Sequence, residues 1–381
     1  MMPFIIRDFA ITRPRHETAQ ADLLAWLAAA HARSEATIHG LSDEAARAFE
    51  ARLNKVMARV ACGPAKISRR GSVVSDADST RWAAKTLYDV DQNPRGKPMS
   101  ARSEIFSSVV DAYFEDAYRD ETVAPRELIH VTCTGYISPS GAQKLVSKRR
   151  WDTRVTHAYH MGCYAAFPAL RLAAGALSLP RAIAGTSERV DIVHTELCSL
   201  HLDPSQHALE QLVVQSLFAD GLIRYSMASD GCGLELLALD EHILPGSSES
   251  MSWRVTEFGM QMTLSRDVPD QIAGALRPFV LGLFRRAGVD PARELGRTVF
   301  AVHPGGPKII DRVGEVLELS ASQLAASREV LFDFGNMSSA TLPHVWARLC
   351  ADPTVSDGTL VASLAFGPGL TVCGALFRMK R

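Results

Sequence analysis

The chain has 381 residues, and 47% of them are hydrophobic, as expected of a globular protein with a large core. Its length exceeds the roughly 250–300 residues at which a single core stops growing, so we expect two domains or two halves sharing one core. The 41 Lys and Arg residues balance 42 Asp and Glu residues to a formal net charge of −1, which argues against nucleic acid and anionic membranes as partners.

Three further features concern the compartment. No apolar run approaches the ~18 residues of a membrane span. The N-terminus, MMPFIIRDFAITRPR, has too short an apolar segment for a signal peptide. The seven cysteines include no CxxC pair, which predicts free thiols and no zinc site. We therefore expect a protein of the reducing cytoplasm without a metal.

Hydrophobic periodicity predicts strands and helices through the first half of the chain. Strands are predicted over residues 4–12, 127–134, 155–160, 190–200 and 222–227. Helices are predicted over residues 17–31, 43–61, 103–119 and 203–218, and another Ala- and Leu-rich helix opens at Cys163. Residues 76–102 are polar, which predicts a loop around one short helix.

The second half repeats this order. Its predicted helices cover residues 269–287 and 308–317 and a segment ending at Trp346, and its predicted strands cover 234–239, 297–302, 359–366 and 370–377. In each half a buried strand ends in a turn, at Thr134-Gly135 and at His303-Pro304-Gly305-Gly306. About thirty residues later a glycine opens a helix, at Gly162-Cys163 and at Gly335-Asn336. We therefore predict a duplicated, layered α/β unit with halves 1–228 and 229–381.

The two glycine turns indicate a catalytic site. A thiol at a helix N-terminus is favoured as thiolate, although an isolated cysteine is more often a buried structural residue. Duplication would bring the two turns together, so that Cys163 and Asn336 face each other beside His303. Imidazole can lower the pKa of a neighbouring thiol by forming an ion pair, and His and Asn donors can hold an oxyanion or enolate. We predict that Cys163, His303 and Asn336 are catalytic.

Seven blocks of sequence point to a family: Thr132-Cys133-Thr134-Gly135, Gly162-Cys163-Tyr164-Ala165, Thr195-Glu196-Leu197-Cys198-Ser199, Leu217-Phe218-Ala219-Asp220-Gly221, His303-Pro304-Gly305-Gly306-Pro307, Gly335-Asn336-Met337-Ser338-Ser339-Ala340 and Phe366-Gly367-Pro368-Gly369-Leu370-Thr371-Val372. With them the chain resembles the type III polyketide synthases, the chalcone synthase-like branch of the thiolase-fold condensing enzymes, and in some features their bacterial members. The resemblance implies a thiolase fold, a duplicated five-layered αβαβα sandwich, in a homodimer without a metal or a permanently bound cofactor.

The resemblance also implies a reaction. Cys163 would accept an acyl group from a thioester of coenzyme A or phosphopantetheine. His303 and Asn336 would form the decarboxylation site and oxyanion hole. A malonyl or β-ketoacyl thioester would supply an enolate for a Claisen condensation, and cyclisation would give an α-pyrone or a phenolic ring.

Substrate-contacting positions follow from the same resemblance. The substrate cavity is expected to include Cys133, Thr134, Cys198, His201, Met262 and Gly369, with His201 and Met262 at positions where plant members carry gating Phe side chains. Lys55, Arg59 and Lys66 match the coenzyme A phosphate cluster only loosely, which leaves an acyl carrier protein open as donor. A basic docking surface for such a carrier protein could then be formed by Lys144, Lys148, Arg149 and Arg150. The alternative is that these four residues belong to an ordinary solvated turn.

Several functions remain open from the sequence. The first is iterative extension of an acyl starter by malonyl units. The second is a single head-to-head condensation of two carrier-protein-bound β-ketoacyl chains to an α-pyrone, as in stand-alone chain-joining ketosynthases of antibiotic pathways. A cysteine acyltransferase or hydrolase would need the same thiolate and oxyanion donors but would form no carbon–carbon bond. A non-catalytic scaffold would not need the three catalytic residues.

Overall fold

The computed structural model describes residues 3–78, 82, 85–179 and 188–381. Within the predicted loop 76–102, residues 79–81 and 83–84 therefore lie outside the described residues. In the rest of that stretch Asp76–Asp78 forms a 3₁₀ turn, and the third helix begins at Met99.

The N-terminal half contains seven strands and six helices among the described residues. The strands are β1 (Ile5–Thr12), β2 (His16–Ala19), β3 (Arg69–Ser72), β4 (Glu127–Thr132), β5 (Arg154–Tyr159), β6 (Arg189–Leu197) and β7 (Asp220–Ala228). The helices are α1 (Gln20–His39), α2 (Asp43–Val60), α3 (Met99–Ala117), α4 (Gly141–Arg149), α5 (Ala166–Ser178) and α6 (Leu209–Leu217).

The C-terminal half continues with β8 (Gly233–Ile243), β9 (Met251–Thr256), β10 (Gly259–Leu264), α7 (Val268–Arg286), α8 (Pro291–Glu294), β11 (Val299–Val302), α9 (Pro307–Leu317), α10 (Ala325–Phe334), α11 (Thr341–Ala351), β12 (Leu360–Gly367) and β13 (Thr371–Lys380).

One nine-stranded sheet has the order β11-β12-β13-β8-β1-β7-β6-β4-β5. In the first half β4 pairs parallel with β6, which pairs antiparallel with β7, which pairs antiparallel with β1. In the second half β11, β12, β13 and β8 follow the same succession of parallel, antiparallel and antiparallel pairs. The order of pairings thus occurs twice along the chain, as expected of a repeated α/β unit.

The two halves of the sheet meet at β1 and β8, which share only two residue pairs, Ile5 with Glu235 and Ile6 with Leu234. The proposed boundary between residues 228 and 229 stays a prediction. It falls between the end of β7 and the start of β8.

The core has layers because successive strand residues face opposite sides of a sheet. On β4, Ile129 belongs to a central cluster with α5 and α11, whereas Leu128 packs against α3 and α4. On β12, Val361 belongs to the same central cluster, whereas Ala362 packs with α7 and α9. Helices therefore lie outside and between the two halves of the sheet, in the five-layered αβαβα order expected from the resemblance.

Differences from the predicted elements have local causes. The first helix begins at Gln20 because His16–Ala19 pairs with Arg69–Ser72 as strands β2 and β3, which were not predicted. The helix predicted from residue 203 begins at Leu209, since the Asp203 carboxylate accepts hydrogen bonds from Ser205 and holds a turn. The strands β9 and β10 pair as a separate hairpin that was also missed.

Residues 141–149 form helix α4 rather than an ordinary solvated turn. Its N-terminus carries a capping box, in which the Ser140 hydroxyl accepts from the amide of Gln143 and the Gln143 side chain accepts from the amide of Ser140. In the described ranges, each helix is too short or too polar to cross a bilayer.

Candidate active site

Cys163 lies in the turn that connects β5 to α5. The helix begins at Ala166, so the cysteine precedes the helix instead of standing in its first turn as predicted. Gly162 has φ +80°, and a Cβ at this residue would lie 2.3 Å from Cδ of Pro368. The turn therefore needs glycine, both for its backbone conformation and for the close approach of Pro368.

His303 directly follows β11, and its amide donates to the carbonyl of Leu364 at 2.7 Å. The residue is only 2% exposed. Neither ring nitrogen has a hydrogen-bond partner in the described part of the chain. Because buried polar atoms are nearly always paired, two unpaired nitrogens on one ring point to a group kept free for a ligand or a proton.

A series of short contacts links Cys163, Asn336 and His303. The sulfur of Cys163 lies 4.0 Å from Oγ of Ser338, and the amide of Ser338 donates to Oδ1 of Asn336 at 2.9 Å. The Nδ2 group of Asn336 donates to the carbonyl of Gly305 at 3.2 Å. The amide of Gly305 in turn donates to the carbonyl of His303 at 2.9 Å. The fold thus brings the three residues into one buried region.

Burial acts on both titratable groups of this region. It raises the pKa of the Cys163 thiol to about 12 and lowers the pKa of His303 to about 3. A dry environment penalises thiolate and imidazolium alike, and no hydrogen bond joins the two groups to compensate. The structure therefore favours the neutral thiol and the neutral imidazole, in contrast to the resting ion pair expected from the sequence.

Cys133 and Thr134 lie beside this region and are organised by a carboxylate that the sequence analysis missed. The amide of Cys133 and the hydroxyl of Thr134 both donate to Glu196 at 3.0 Å. The amide of Gly162 approaches Sγ of Cys133 to 3.0 Å. Burial raises the pKa of Glu196. An acidic residue within an otherwise apolar strand was the sequence signal that could have identified it.

A cavity of about 100 Å³ adjoins the site. Of the residues predicted for a substrate cavity, Cys198, His201 and Met262 line this one, whereas Cys133, Thr134 and Gly369 do not. The carbonyl of Gly369 instead accepts a hydrogen bond from the Ser247 hydroxyl. Gly369 directly follows Pro368, which packs on Gly162 in the turn that contains Cys163.

Of the aromatic side chains that line the cavity, Phe218 and Trp253 lie nearest the nucleophile turn in the contact network, and neither was predicted as a cavity residue from the sequence. Phe218 stacks against Trp253 with ring centroids 6.3 Å apart. The indole N–H of Trp253 donates to the carbonyl of Cys133 at 2.7 Å. Trp253 therefore spans from the cavity to the loop beside the nucleophile, and its place depends on a hairpin that the sequence pattern did not indicate.

His201 is held at both ring nitrogens. Nε2 donates to the carbonyl of Thr134 at 2.8 Å, and Nδ1 accepts from the amide of Met260 at 3.2 Å. Burial lowers its pKa to about 3. The ring therefore forms a fixed, neutral part of the cavity wall.

The three basic residues assigned to the carrier phosphates are exposed. Lys55 and Arg59 lie on α2, and Lys66 follows that helix in the chain. Lys66 borders a surface groove with Pro307 at the start of α9. Within the described ranges, none of the three forms an ion pair, so all three are free to bind an anion.

The basic residues of α4, by contrast, are largely neutralised. Lys144 pairs with Asp111 at 2.6 Å and Lys148 with Glu115 at 2.7 Å, both acids lying on α3. Arg149 donates to the backbone carbonyls of residues 118 and 119. Helix α4 therefore does not present a basic docking surface for a carrier protein.

Comparison with known proteins bears on the identity of this site. Residues 235–380 match the family model of the C-terminal domain of chalcone and stilbene synthases. The chain is 31% identical over 263 residues to type III polyketide synthase A of Arabidopsis thaliana, a match that covers 66% of this chain and 65% of that protein. It is 32% identical to bisdemethoxycurcumin synthase of Oryza sativa subsp. japonica, over 58% of this chain and 57% of that protein.

Solved structures agree on the fold. The C-terminal type III polyketide synthase domain of Steely1 from Dictyostelium superposes with a TM-score of 0.82 at 22% identity, covering 100% of both chains. The protein PKS-I of the brown alga Ectocarpus siliculosus gives 0.82 at 21% identity, covering 99% of this chain and 98% of that one.

The sequence comparisons show that parts of this chain are similar to type III polyketide synthases. The α/β fold is that of the type III polyketide synthases, as the full-length superpositions show. Among the curated relatives, the matched part spans slightly less than two thirds of type III polyketide synthase A. The chemistry of this chain is therefore inferred from its own residues.

Proposed function

We propose that this chain is a type III polyketide synthase that condenses a Cys163-bound acyl group with an enolate from a malonyl or β-ketoacyl thioester. The observation that carries the proposal is the buried His303 ring with two unpaired nitrogens, in the same connected region as Cys163 and Asn336. A scaffold protein would gain nothing from leaving such a ring unpaired, since each unpaired buried polar atom costs stability.

The proposed reaction begins with a proton transfer. As an acyl thioester approaches, the Cys163 thiol gives its proton to His303, and the thiolate attacks the thioester carbonyl. The carrier thiol leaves and takes up the proton, so that the acyl group remains on Cys163 and His303 is neutral again. Because burial penalises both charged forms, the ion pair exists only transiently, during this attack.

The extension step uses the free donors. The thioester carbonyl of a malonyl unit accepts hydrogen bonds from His303 and from the second N–H of Asn336 Nδ2, whose first N–H is held by Gly305. The bond to the carboxylate breaks, CO₂ leaves, and the electron pair moves to the enolate oxygen. The enolate carbon then attacks the acyl carbonyl and displaces the Cys163 thiolate. Each oxyanion donor of this kind contributes about 3–4 kcal/mol in well-studied sites.

The proposed substrates are thioesters of coenzyme A, and the candidate contacts to its phosphates are Lys55, Arg59 and Lys66. The cavity would hold the acyl chain before it cyclises to an α-pyrone or a phenolic ring. The unpaired side chains of the three basic residues support a nucleotide-bearing donor. The internal ion pairs of Lys144 and Lys148 give no support to a carrier-protein donor at α4.

We also propose a homodimer that forms through β5. This strand is the last in the nine-stranded order, so one of its edges is unpaired among the residues that the structure describes. Tyr136, which is 43% exposed, packs against Tyr159 of that strand. Unpaired strand edges flanked by aromatic side chains are ready sites for pairing with a second chain.

The test compares donors and variants in the purified full-length protein. Acyl-CoA with isotopically labelled malonyl-CoA is expected to give an acyl adduct on Cys163 and a labelled condensed product by mass spectrometry. Cys163→Ala should abolish both, whereas the exposed Cys232→Ala should not change either. Release of the free acid without a carbon–carbon bond would indicate a hydrolase. Condensation of carrier-bound β-ketoacyl chains without malonyl-CoA would indicate the head-to-head reaction.

A further inference from the structure

The turn that presents Asn336 has an unusual backbone. Gly335 has φ +76° and Ser338 has φ +49°, a left-handed conformation that a residue with a Cβ rarely adopts. Such a conformation persists only where the surrounding structure holds it. The groups that hold this turn therefore also determine where the Asn336 carboxamide points.

One side-chain hydroxyl makes contacts along the whole turn. Oγ1 of Thr341 accepts from the amide of Met337 at 2.8 Å and donates to the carbonyl of Ser338 at 2.9 Å. It also lies 3.4 Å from Oδ1 of Asn336. Thr341 is buried and is the first residue of α11, so its backbone is fixed by the helix.

These contacts fix which end of the Asn336 carboxamide faces the reaction. Oδ1 of Asn336 accepts a hydrogen bond from the amide of Ser338 at 2.9 Å. The Thr341 hydroxyl keeps this amide in place, because it bonds to the amide of Met337 before it and to the carbonyl of Ser338 after it. Nδ2 must then be the end that contacts Gly305 and keeps one N–H for a substrate oxygen. If the turn relaxed and the carboxamide rotated, an oxygen would face the enolate and repel it.

We propose that Thr341 is a positioning residue for the decarboxylation step, acting through Asn336 and the Ser338 turn. The inference rests on the proposed function, in which Asn336 donates to the thioester oxygen. Thr341 itself contacts neither sulfur nor substrate. Its hydroxyl, more than its volume, is what the site requires.

The variants separate hydroxyl from shape. Thr341→Val keeps the branched shape and removes the hydroxyl, whereas Thr341→Ser keeps the hydroxyl. Thr298→Val is the matched control, because Thr298 is equally buried and its hydroxyl bonds to the carbonyl of Glu294 at the far end of β11. If Thr341→Val does not fold, Thr341→Ala provides the same loss of the hydroxyl without a branched side chain.

Two steps are measured separately: conversion of malonyl-CoA to acetyl-CoA, which needs the oxyanion donors, and acylation of Cys163 by a starter acyl-CoA. Thr341→Val should slow decarboxylation at least about tenfold, equivalent to about 1.4 kcal/mol, and leave Cys163 acylation within about twofold. Thr341→Ser should recover most of the decarboxylation rate, and Thr298→Val should leave it unchanged.

A double-mutant cycle with Asn336→Ala gives the decisive comparison. If Thr341 acts through Asn336, adding Thr341→Val to Asn336→Ala should slow decarboxylation no further. Independent, multiplicative losses would overturn the proposal, and so would a Thr341→Val protein with the decarboxylation rate of the unmodified chain. If Asn336→Ala alone leaves decarboxylation unchanged, the proposed function itself fails, and the two failures are thereby distinguished.

Discussion

The thiol of Cys163 and the imidazole of His303 are both kept neutral by burial, with pKa values of about 12 and about 3. A nucleophile that is uncharged at rest is protected from oxidants and alkylating agents, since these react with the thiolate. In the proposed reaction, proton transfer to His303 is then part of the acylation step, and the substrate helps to trigger it. The neighbouring Ser338 hydroxyl, 4.0 Å from the sulfur, favours the thiolate once it forms.

This arrangement predicts the pH dependence of Cys163 alkylation. Because the thiol pKa is about 12, the thiolate fraction should rise about tenfold per pH unit between pH 6 and 9, with no plateau. The labelling rate of the Cys163 peptide by iodoacetamide, measured by mass spectrometry, should follow this line. The exposed Cys232 serves as an internal reference for the reagent.

A resting ion pair would behave differently. The rate would then be high and constant through neutral pH and would fall only at acid pH, where Cys163 gains a proton. If the pair is neutral at rest, His303→Gln should leave the pH profile of Cys163 labelling unchanged. If the pair is ionised at rest, the same substitution would remove the plateau. A plateau that disappears in this variant would contradict the neutral pair.

At the level of elements, the two halves of the chain place their functional residues in corresponding turns. In the first half β4 and α4 are followed by β5, the Cys163 turn and α5; in the second, β11 and α9 are followed by α10, the Asn336 turn and α11. The counterpart of β5 is thus the helix α10. The second half therefore ends its part of the sheet at β11, and the dimer is proposed at β5, the strand at the opposite end of the sheet.

The Cys163 turn predicts a clear contrast between two glycines. Gly162→Ala should destabilise the protein by about 2–4 kcal/mol, because its φ of +80° disfavours a Cβ that would also meet Pro368 at 2.3 Å. Gly175 is exposed in the interior of α5, and among the described residues a Cβ there would meet no atom within 4 Å, so Gly175→Ala should stabilise the protein by about 0.5–1 kcal/mol. Urea unfolding of the two variants measures both; equal effects would show that the turn is not constrained.

At the scale of the whole molecule, buried neutral histidines determine the acid stability. Burial lowers the pKa of six of them to about 3 or 4: His31, His130, His194, His201, His303 and His344. In the unfolded chain they bind protons below about pH 6.5, whereas the folded protein excludes these protons down to pH 3–4. The unfolded state therefore binds more protons in this window, and stability falls as the pH falls.

Three buried carboxyl groups oppose this trend. Burial raises the pKa of Asp220 to about 6 and also raises the pKa values of Asp191 and Glu196, so these groups bind protons first in the folded state. The six histidines outweigh the three carboxyl groups, so unfolding should take up protons between pH 6 and 4 and the free energy of unfolding should slope downward as the pH falls. Urea unfolding at pH 7, 6 and 5 should show this slope.

A single substitution checks the assignment. His344→Gln should reduce the proton uptake on unfolding by about one, and with it the slope by about 1.4 kcal/mol per pH unit. Stability that is constant or rises between pH 6 and 5 would show that the carboxyl groups dominate instead.

The proposed dimer makes a further prediction at this scale. Tyr136→Glu should shift the protein from dimer to monomer in analytical ultracentrifugation, because a buried, unpaired carboxylate at the β5 edge would be costly. Ile243→Glu is the control, since Ile243 is 68% exposed and its strand β8 is five positions from β5 in the sheet. A dimer that tolerates Tyr136→Glu as well as Ile243→Glu would place the contact elsewhere.

The sequence by itself determined the features that are local or repeated. Glycine turns before Cys163 and Asn336, the alternation of strands and helices, and the order repeated in both halves follow from backbone conformation and hydrophobic period, which neighbouring residues determine. The layered α/β fold could be predicted on that basis. The three residues proposed as catalytic were identifiable for the same reason, because each stands at a turn that the chain marks with glycine.

Only the tertiary structure decided the environment of those residues. Glu196 and Trp253 reach the site from other strands, and no spacing in the chain records that they meet there. The neutral state of Cys163 and His303 likewise depends on exclusion of water by the packed layers. Desolvation and long-range contacts are properties of the assembled core, and these decide which protons and which donors the site can use.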